Sequence, residues 1–193
     1  MVSPELRERR TMTDLAFRPA REDETETVFT LLREAAVWLR DKGIDYWQNW
    51  LDPPEAHVAW IKRGFDRGEF FVVERKGEVV GCFRLQWEDA MFWGERNDSA
   101  GYIHSITTRR DLAGTGAGRR VLELIEVHCV DKGKQFLRLD CGSSVSGLRR
   151  YYESCGFVPI GETTVAGEQL TLYEKPLADN RVEATRTNRA SRL

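Results

Sequence analysis

The sequence predicts a single α/β (α+β) domain in which a mixed, largely antiparallel twisted sheet of six to seven strands is flanked by about four helices. The chain has 193 residues, a length that suits one domain with a substantial core. Its 41% apolar and 31% charged residues are typical of a globular protein. Strand-like and helix-like segments follow one another in mixed order, which predicts parallel and antiparallel pairing in one sheet.

The first third of the chain predicts one strand and two helices. The segment "LAFRPA" has a strand pattern, and Asp23 or Thr25 is then expected to cap a long amphipathic helix that ends near Gly43. An aromatic loop, "IDYWQNWLDPP", stops at two prolines, and "EAHVAWIKRGFDRG" predicts the second helix. The apolar stripe of the first helix contains Val28, Leu31, Leu32, Ala35, Ala36 and Leu39.

The rest of the domain predicts the remaining strands and two more helices. "EFFVVERKGEVVGCFRLQW" predicts a hairpin that turns at Lys76-Gly77, and the polar loop "DAMFWGERNDSA" separates it from the strand "GYIHSITT". A glycine run then opens a helix that continues to about Lys132. The strand "QFLRLDC", the short helix "GLRRYYESCGF" and a hairpin turning at Gly167 follow. One face of the long helix contains Val121, Leu122, Ile125 and Cys129.

The two ends of the chain differ in composition from the middle. Residues 1–11 predict a flexible extension, residues 12–177 the folded domain, and residues 178–193 a disordered polar tail. Both ends carry more arginine than acidic residues, while the net charge of the whole chain is −2. The middle is therefore mildly acidic, and it would attract a cationic small molecule only weakly.

Composition disfavours several classes of function. The net charge argues against nucleic acid as the main partner, and no apolar run approaches the ~18 residues of a membrane span. The first residues lack the apolar core of a signal peptide. The four cysteines form no CxxC pair and the three histidines are scattered, so neither a metal site nor a disulfide framework is expected. These features predict a reducing, cytoplasmic setting.

The segment "LAGTGAGRR" joins three glycines to the start of a helix. Glycine accepts positive φ and lets a ligand approach the backbone, while the first turn of a helix leaves four N–H groups unpaired. Residues 113–119 therefore predict a nest for a phosphate or diphosphate. No P-loop lysine follows, and Gly114, Gly116 and Gly118 are one residue short of the dinucleotide fingerprint. A flexible loop before a helix is the alternative.

With this glycine motif, the sequence resembles the GNAT family of acetyl-CoA-dependent acetyltransferases. The family's Gln/Arg-x-x-Gly-x-Gly/Ala loop matches residues 113–118, where Ala113 replaces the usual Gln or Arg. The family's later tyrosine and Gly-Phe element matches "YYESCGF", although Val145 stands where an asparagine is usual. The resemblance covers about residues 15–176 and implies acetyl-CoA as the cofactor.

The resemblance also implies how acetyl-CoA binds. The pantetheine arm is expected to pair with backbone groups of Ile106, Thr107 and Thr108, at the end of a strand that splays from its neighbour. A free amide near Ile106 would face the thioester oxygen. The diphosphate is expected on the glycine loop, which consists of Ala113, Gly114, Thr115, Gly116, Ala117, Gly118 and Arg119.

Two side chains are candidates for the proton transfers of acetyl transfer to an amine. Period two predicts Tyr102, His104 and Ile106 on one strand face, which places His104 toward the acceptor as a base with an unperturbed pKa near ~6.5. Arylalkylamine N-acetyltransferases carry histidines at the positions matching Tyr102 and His104, which supports this role. Tyr152 matches the family's tyrosine beside the coenzyme sulfur, and its phenol would protonate the departing thiolate. A buried core position is the alternative for both residues.

Cys141 and Cys155 raise the alternative of an acyl-cysteine intermediate. Cys141 ends an apolar strand and Cys155 ends a helix, so both are expected in the core. Direct transfer in a ternary complex of enzyme, acetyl-CoA and amine needs neither thiol. The sequence therefore favours direct transfer.

Two aromatic loops are the expected acceptor site, because the family builds that site from the first helices, their connecting loop and the loop between the third and fourth strands. Aromatic faces bind a flat acceptor or a cation, and acidic side chains pair with an ammonium. Packing of helices onto the sheet is the alternative for the tryptophans, and a solvated surface is the alternative for the acids. The candidates are Tyr46, Trp47, Trp50, Glu88, Asp89 and Trp93.

The sequence thus predicts an N-acetyltransferase that moves the acetyl group of acetyl-CoA to a primary amine of a small molecule. A peptide or protein acceptor, through its N-terminus or a lysine, is one alternative. The other is a non-catalytic acyl-CoA-binding sensor that keeps the glycine nest without the chemistry. Dimers are common among GNAT relatives, so a homodimer is a further expectation.

Overall fold

Seven strands and five α-helices make up residues 14–177, the part of the chain that this computed structural model describes. The predicted extension and tail, residues 1–11 and 178–193, lie outside it. The strands are β1 (Leu15–Pro19), β2 (Phe70–Arg75), β3 (Glu78–Gln86), β4 (Ala100–Thr108), β5 (Phe136–Gly142), β6 (Val158–Val165) and β7 (Glu168–Pro176). The helices are α1 (Thr25–Asp41), α2 (Glu55–Asp66), the single turn α3 (Ala90–Trp93), α4 (Ala117–Asp131) and α5 (Ser146–Ser154).

The strands form one open sheet in the order β1-β2-β3-β4-β5-β7-β6. Neighbouring strands are antiparallel except β4 and β5, which are parallel. Both predicted hairpin turns are confirmed, with positive φ at Lys76 and Gly77 and at Ala166 and Gly167. Two successive residues with positive φ match the right-handed twist of the flanking strands. The predicted mixed, largely antiparallel sheet is confirmed.

Helices cover both faces of the sheet with the apolar stripes that the sequence predicts. On one face, Val121, Leu122 and Ile125 of α4 are at most 1% exposed and pack with Ile103 of β4 and Leu139 of β5. On the other face, α1 and α2 pack on β2 and β3 in a second cluster. Its members are Val28, Phe29, Leu31, Leu32, Ala36, Trp50, Ile61, Phe70 and Cys82. Burial of each large side chain contributes roughly 1.5–3 kcal/mol.

The first helix begins differently from the sequence prediction. A 3₁₀ turn, Glu22–Glu24, precedes α1, and neither Asp23 nor Thr25 caps the helix with its side chain. The buried Glu24 carboxylate instead accepts hydrogen bonds from the Arg18 guanidinium and from the Arg21 amide. The bond from Arg18 lowers the pKa of Glu24 to about 2, so this carboxylate stays charged and fixes the entry into α1.

A β-bulge in β4 changes which side chains share a face. Cys82 pairs with Thr107 and Arg84 pairs with His104, so two residues of β4, Ser105 and Ile106, oppose a single residue of β3. The extra residue shifts the alternation of side chains. His104 contacts α2, whereas Ile106 packs in the core cluster under α4. The prediction that Ile106 lies on the face of Tyr102 and His104 is therefore wrong.

β4 and β5 stop pairing with each other just before this bulge. They pair from Ala100 with Phe136 to Ile103 with Leu139, and both strands then continue without pairing to each other. β4 stays bonded to β3 as far as Thr108, and β5 stays bonded to β7 as far as Gly142. The sheet therefore has a gap in its middle, lined by main-chain groups that have lost a neighbouring strand.

The close approach of β3 to the bulged end of β4 leads to a stability prediction. A Cβ at Gly81 would lie 2.5 Å from the Thr107 carbonyl oxygen, so Gly81→Ala is expected to lower the free energy of unfolding by about 1–3 kcal/mol. Gly147→Ala in α5 is the control, because a Cβ there meets nothing within 4 Å and alanine favours helix. Urea unfolding measures both. Equal stability of the two variants would contradict the described register.

Candidate active site

A cavity of about 320 Å³ opens at the gap between β4 and β5. On the sheet side its wall consists of residues 103–106 of β4, Leu139 and Asp140 of β5, and Tyr152 of α5. The opposite wall is formed by α2 and α3 and by the loop before α2. Its residues are mostly aromatic or polar: Tyr46, Trp47, Asn49, Trp50, His57, Trp60, Arg63, Met91 and Phe92.

Three aromatic residues that the sequence predicts at the acceptor site line this cavity, namely Tyr46, Trp47 and Trp50. The rings of Tyr46 and Trp47 are stacked with centroids 5.9 Å apart. Trp47 has a φ of 62°, which bulky residues rarely adopt and which functional loops often contain. This wall offers flat apolar surfaces with electron-rich faces, suited to an organic cation.

Glu88 and Trp93, also predicted at the acceptor site, lie outside the cavity wall. Glu88 is exposed to solvent. Trp93 is buried against Tyr102 and lies over the guanidinium of Arg138, 5.2 Å from its ring centroid. Arg138 is 1% exposed and binds the carboxylates of Asp98 and Glu174. The structure thus gives Trp93 a packing role over a buried arginine.

His104 lies on the cavity wall, but both of its ring nitrogens face carboxylates. Nε2 donates a hydrogen bond to Asp89 Oδ2 at 2.9 Å, and Nδ1 lies 3.6 Å from Asp140 Oδ2. Asp89 also accepts a bond from the Phe92 amide at the start of α3, so it is held in place. Of the acidic residues predicted to bind an acceptor, Asp89 instead supports His104 from behind the wall.

The charges around His104 determine its protonation state. Burial lowers the pKa of the imidazole, but the hydrogen bond to Asp89 and the charge of Asp140 outweigh burial, and the pKa is raised above its ordinary value. The folded protein therefore favours the imidazolium form more than water does. A histidine in this state is a poorer proton acceptor than the sequence interpretation assumes.

Asp140 is the functional candidate that sequence reasoning missed. Its side chain is 9% exposed, it lies on the cavity wall, and its Oδ2 has no hydrogen-bond partner among residues 14–177. Burial raises the pKa of the Asp140 carboxyl to about 6, with the charge of His104 acting in the opposite direction. One signal was present in the sequence. Arg138 and Asp140 share one face of an otherwise apolar strand, and both are charged.

Tyr152 lines the cavity from α5, as its alignment with the family tyrosine predicts. It is 6% exposed, and burial together with the neighbouring Tyr46 raises the pKa of its phenol well above the ordinary value. The phenol therefore keeps its proton at neutral pH, which a proton donor requires. The adjacent Tyr151 points elsewhere, because its hydroxyl would lie 2.6 Å from a Cβ at Gly118.

The glycine loop has the backbone that an anion nest needs. Gly114 and Gly116 have φ of 77° and 83°, and α4 begins directly after them at Ala117. The Arg120 amide donates to the Gly116 carbonyl, while in residues 14–177 no hydrogen bond engages the amides of residues 116–119. These amides point out of a helix N-terminus, where an anion is stabilised.

The remaining predicted cofactor residues differ in how accessible they are to a ligand. Ile106 reaches the cavity, and Thr107 is buried and pairs with β3. The Thr108 carbonyl accepts hydrogen bonds from the Arg110 guanidinium, which leaves it less free for a ligand. Arg119 is bound to Ser154 of α5 through its side chain, so its amide rather than its guanidinium faces the loop.

The buried thiols do not suit nucleophilic chemistry. Burial and the nearby Asp140 raise the pKa of Cys141 to about 12, and Cys155 is also buried. Residues 14–177 contain no group of His, Cys, Asp and Glu side chains arranged to hold a metal ion. Within the same residues, no helix is long and apolar enough to cross a membrane.

The buried, unpaired Asp140 predicts a pH-dependent cost in stability. Its pKa is raised from ~3.9 in the unfolded chain to about 6, so the folded state binds more protons between these values and stability falls as pH rises through that range. Asp140→Asn removes this cost. We expect it to gain about 1–3 kcal/mol relative to wild type at pH 7.5, with little gain at pH 4.5.

Urea unfolding at the two pH values measures this gain. Asp52→Asn, at an exposed aspartate outside the cavity, is the matched control and is expected to show no such pH-dependent difference. A stability difference between Asp140→Asn and wild type that is equal at both pH values would contradict the described burial of Asp140.

Comparisons with known proteins agree with this geometry. The acetyltransferase (GNAT) family matches residues 26–157 of the chain. YesJ of Bacillus subtilis (strain 168), an uncharacterized N-acetyltransferase, is 28% identical over 148 residues, which are 74% of this chain and 81% of that protein. A GNAT-family acetyltransferase from Listeria monocytogenes 4b F2365 matches 84% of this chain and 95% of its own, with a TM-score of 0.69 and 25% identity.

A further solved structure has the same fold at lower identity. AAC(6')-Ib, in complex with ribostamycin and coenzyme A, matches with a TM-score of 0.67 and 15% identity, over 84% of this chain and 93% of its own. The family match covers more than half of the chain and includes the glycine loop, the gap between β4 and β5, and Tyr152. The chain belongs to the GNAT family of acetyltransferases, which use acetyl-CoA.

Proposed function

We propose that this protein is an N-acetyltransferase that moves the acetyl group of acetyl-CoA to a primary amine of a small molecule, by direct transfer in a ternary complex. The observation that carries the proposal is the cavity at the gap between β4 and β5. The carboxylate of Asp140, the phenol of Tyr152 and the main chain of β4 all meet there. These groups supply a proton acceptor, a proton donor and backbone hydrogen-bonding groups around one cavity.

The residues present fit acetyl-CoA on two observations. The unpaired amides of residues 116–119 suit a diphosphate, and Gly114 has open space where a Cβ would be. The end of β4 that has lost its parallel neighbour offers main-chain groups to an extended arm. Ile106, Gly114, Gly116, Ala117 and Gly118 are the residues that we expect to hold the cofactor. Bound acetyl-CoA supplies the thioester whose acetyl group is transferred.

The acceptor would occupy the aromatic side of the cavity. Tyr46, Trp47 and Trp50 line this side of the cavity, whose whole volume of about 320 Å³ is in the range of small-molecule sites. AAC(6')-Ib, which has the same fold, holds ribostamycin and coenzyme A together. A ternary complex of this kind allows direct transfer, which does not require the buried thiols of Cys141 and Cys155.

Tyr152 is proposed to donate the proton that the departing thiolate takes. Its buried phenol is protonated at neutral pH and lies on the same cavity wall as Ile106 and Leu139, at the gap. The main-chain amides near the bulge at Ser105 are expected to meet the thioester oxygen, because pairing between β4 and β5 no longer uses that edge.

The cofactor site can be tested with two glycines at the two ends of α4. Gly114 and Gly133 both have φ above 70°, and a Cβ at either meets nothing within 4 Å, so alanine strains the backbone similarly in both. We expect Gly114→Ala to weaken CoA binding about tenfold, which corresponds to about 1.4 kcal/mol, and Gly133→Ala to leave it within about twofold. Calorimetric titration with CoA measures both. Equal affinities of the two variants would argue against the glycine loop.

Turnover of acetyl-CoA on a panel of amines and peptides tests the function, with the two adjacent tyrosines as matched variants. We expect Tyr152→Phe to lower kcat about 100-fold on the best acceptor, because the thiolate loses its proton donor, while Tyr151→Phe changes kcat less than about threefold. Thiol release monitors the reaction. Turnover of peptides alone would favour a peptide acetyltransferase, and tight CoA binding without turnover of any acceptor would favour an acyl-CoA sensor.

A further inference from the structure

Asp140 places a buried carboxylate on the cavity wall that accepts no hydrogen bond from residues 14–177. Asp140 follows directly after Leu139, the last residue of β5 that pairs with β4. Its side chain therefore borders the gap, and its Oδ2 accepts no hydrogen bond from any of residues 14–177. A buried polar atom left unpaired costs about 1–3 kcal/mol. Oδ2 is itself shut off from solvent, whereas Oδ1 is not, so Oδ1 is the carboxylate oxygen that a ligand in the cavity can reach.

The groups that face Asp140 leave its carboxylate without a hydrogen bond. The nearest cation is His104, whose Nδ1 is 3.6 Å from Oδ2, beyond hydrogen-bond distance. His104 is held from its other side by Asp89. The cavity wall also contains His57 and Arg63 of α2, but neither is among the groups whose charge acts on Asp140. The other titratable groups that influence Asp140 or lie with it around the cavity are acidic or neutral: Asp89 before α3, Tyr46 after α1, Tyr152 of α5, Cys141 of β5 and Glu168 of β7.

A second depression next to the cavity is also acidic. This more open depression of about 520 Å³ shares Tyr46, Trp47 and Glu168 with the cavity and adds Asp45 to its rim. No lysine or arginine is among the residues that line this depression, which all lie in the described part of the chain. Arg63, the one guanidinium on the cavity wall as described, is exposed on α2. A cation entering past Asp45 and Glu168 would meet aromatic faces and then Asp140.

We propose, on the basis of the proposed function, that Asp140 binds the acceptor nitrogen and selects a cationic alkylamine. Asp140 then takes a proton from this ammonium before the nitrogen attacks the thioester. His104 then has a positioning role. Its hydrogen bond to Asp89 holds it in place, and its positive charge orients the Asp140 carboxylate and partly neutralises it. A neutral imidazole would be free to accept the amine proton, but the two carboxylates on either side of His104 favour its charged form. The free oxygen of Asp140 has no such competitor.

The proton steps balance as follows. The ammonium donates a hydrogen bond to Asp140 Oδ1, its N–H bond breaks, an O–H bond forms on Asp140, and a neutral amine remains. The nitrogen lone pair forms the C–N bond to the acetyl carbon while the C–S bond breaks, and the thiolate takes the proton of Tyr152. The second proton that the nitrogen loses restores the Tyr152 phenol, and Asp140 releases its proton to solvent. A carboxyl with a pKa of about 6 can do this near neutral pH.

The test compares Asp140→Asn with wild type on two probes of similar shape. Benzylamine is a cation at pH 7.5, whereas O-benzylhydroxylamine is neutral and needs no proton acceptor before attack. We expect Asp140→Asn to lose about 100-fold in kcat/KM for benzylamine and less than about fivefold for O-benzylhydroxylamine. Asp52→Asn, outside the cavity, is the matched control and should change neither. A structural role alone would lower both rates equally, and that result would overturn the proposal.

Binding of the cation gives a second readout that does not depend on turnover. NMR titration of the CoA-bound protein with benzylammonium chloride is expected to show saturable binding in wild type and at least tenfold weaker binding in Asp140→Asn. Equal binding by both proteins would also overturn the proposal for Asp140. If benzylammonium binds through Asp140 but wild type acetylates no amine, the proposed function fails while the ammonium site stands, so the two failures can be told apart.

Discussion

The gap between β4 and β5 is the constraint on which the site depends. β4 is bonded to β3 from Tyr102 to Thr108 and β5 to β7 from Phe136 to Gly142, so each strand is anchored on one side while the edge between them opens after Ile103 and Leu139. The bulge at Ser105 and Ile106 turns the end of β4 away from β5. An otherwise continuous sheet thus holds a cleft between its own strands, bordered by the aromatic loop and by Tyr152.

The buried charge of Asp140 inside this cleft lowers the stability of the fold. A buried aspartate with a free oxygen opposes folding, whereas the nearby cluster around Arg138 pairs each of its charges. The contrast distinguishes a structural group from a functional one. Arg138 is closed off by Asp98 and Glu174, while Asp140, two residues later on the same strand face, is left open to the cavity. Active sites commonly keep such unfavourable groups because binding satisfies them.

Much of the fold could be predicted from the sequence, because local chemistry determines it. Glycines with positive φ mark the turn at Gly77 and the end of α1 at Gly43, and helical periodicity gave the buried face of α4. The site was less predictable, since it depends on contacts between distant segments. Nothing local in "HSIT" indicates the bulge that separates Ile106 from His104. The lack of a partner for Asp140 follows only from the way β4, β5 and β7 are placed together.

The central claim is that acetyl-CoA enters the gap between β4 and β5 so that its thioester lies between Tyr152 and Asp140. A crystal structure of the protein with CoA tests it most directly. The account predicts the diphosphate on the amides of residues 116–119, the pantetheine arm along the free edge of β4, and the sulfur within hydrogen-bond reach of the Tyr152 hydroxyl. CoA bound at another surface, with the gap closed or unoccupied, would contradict it.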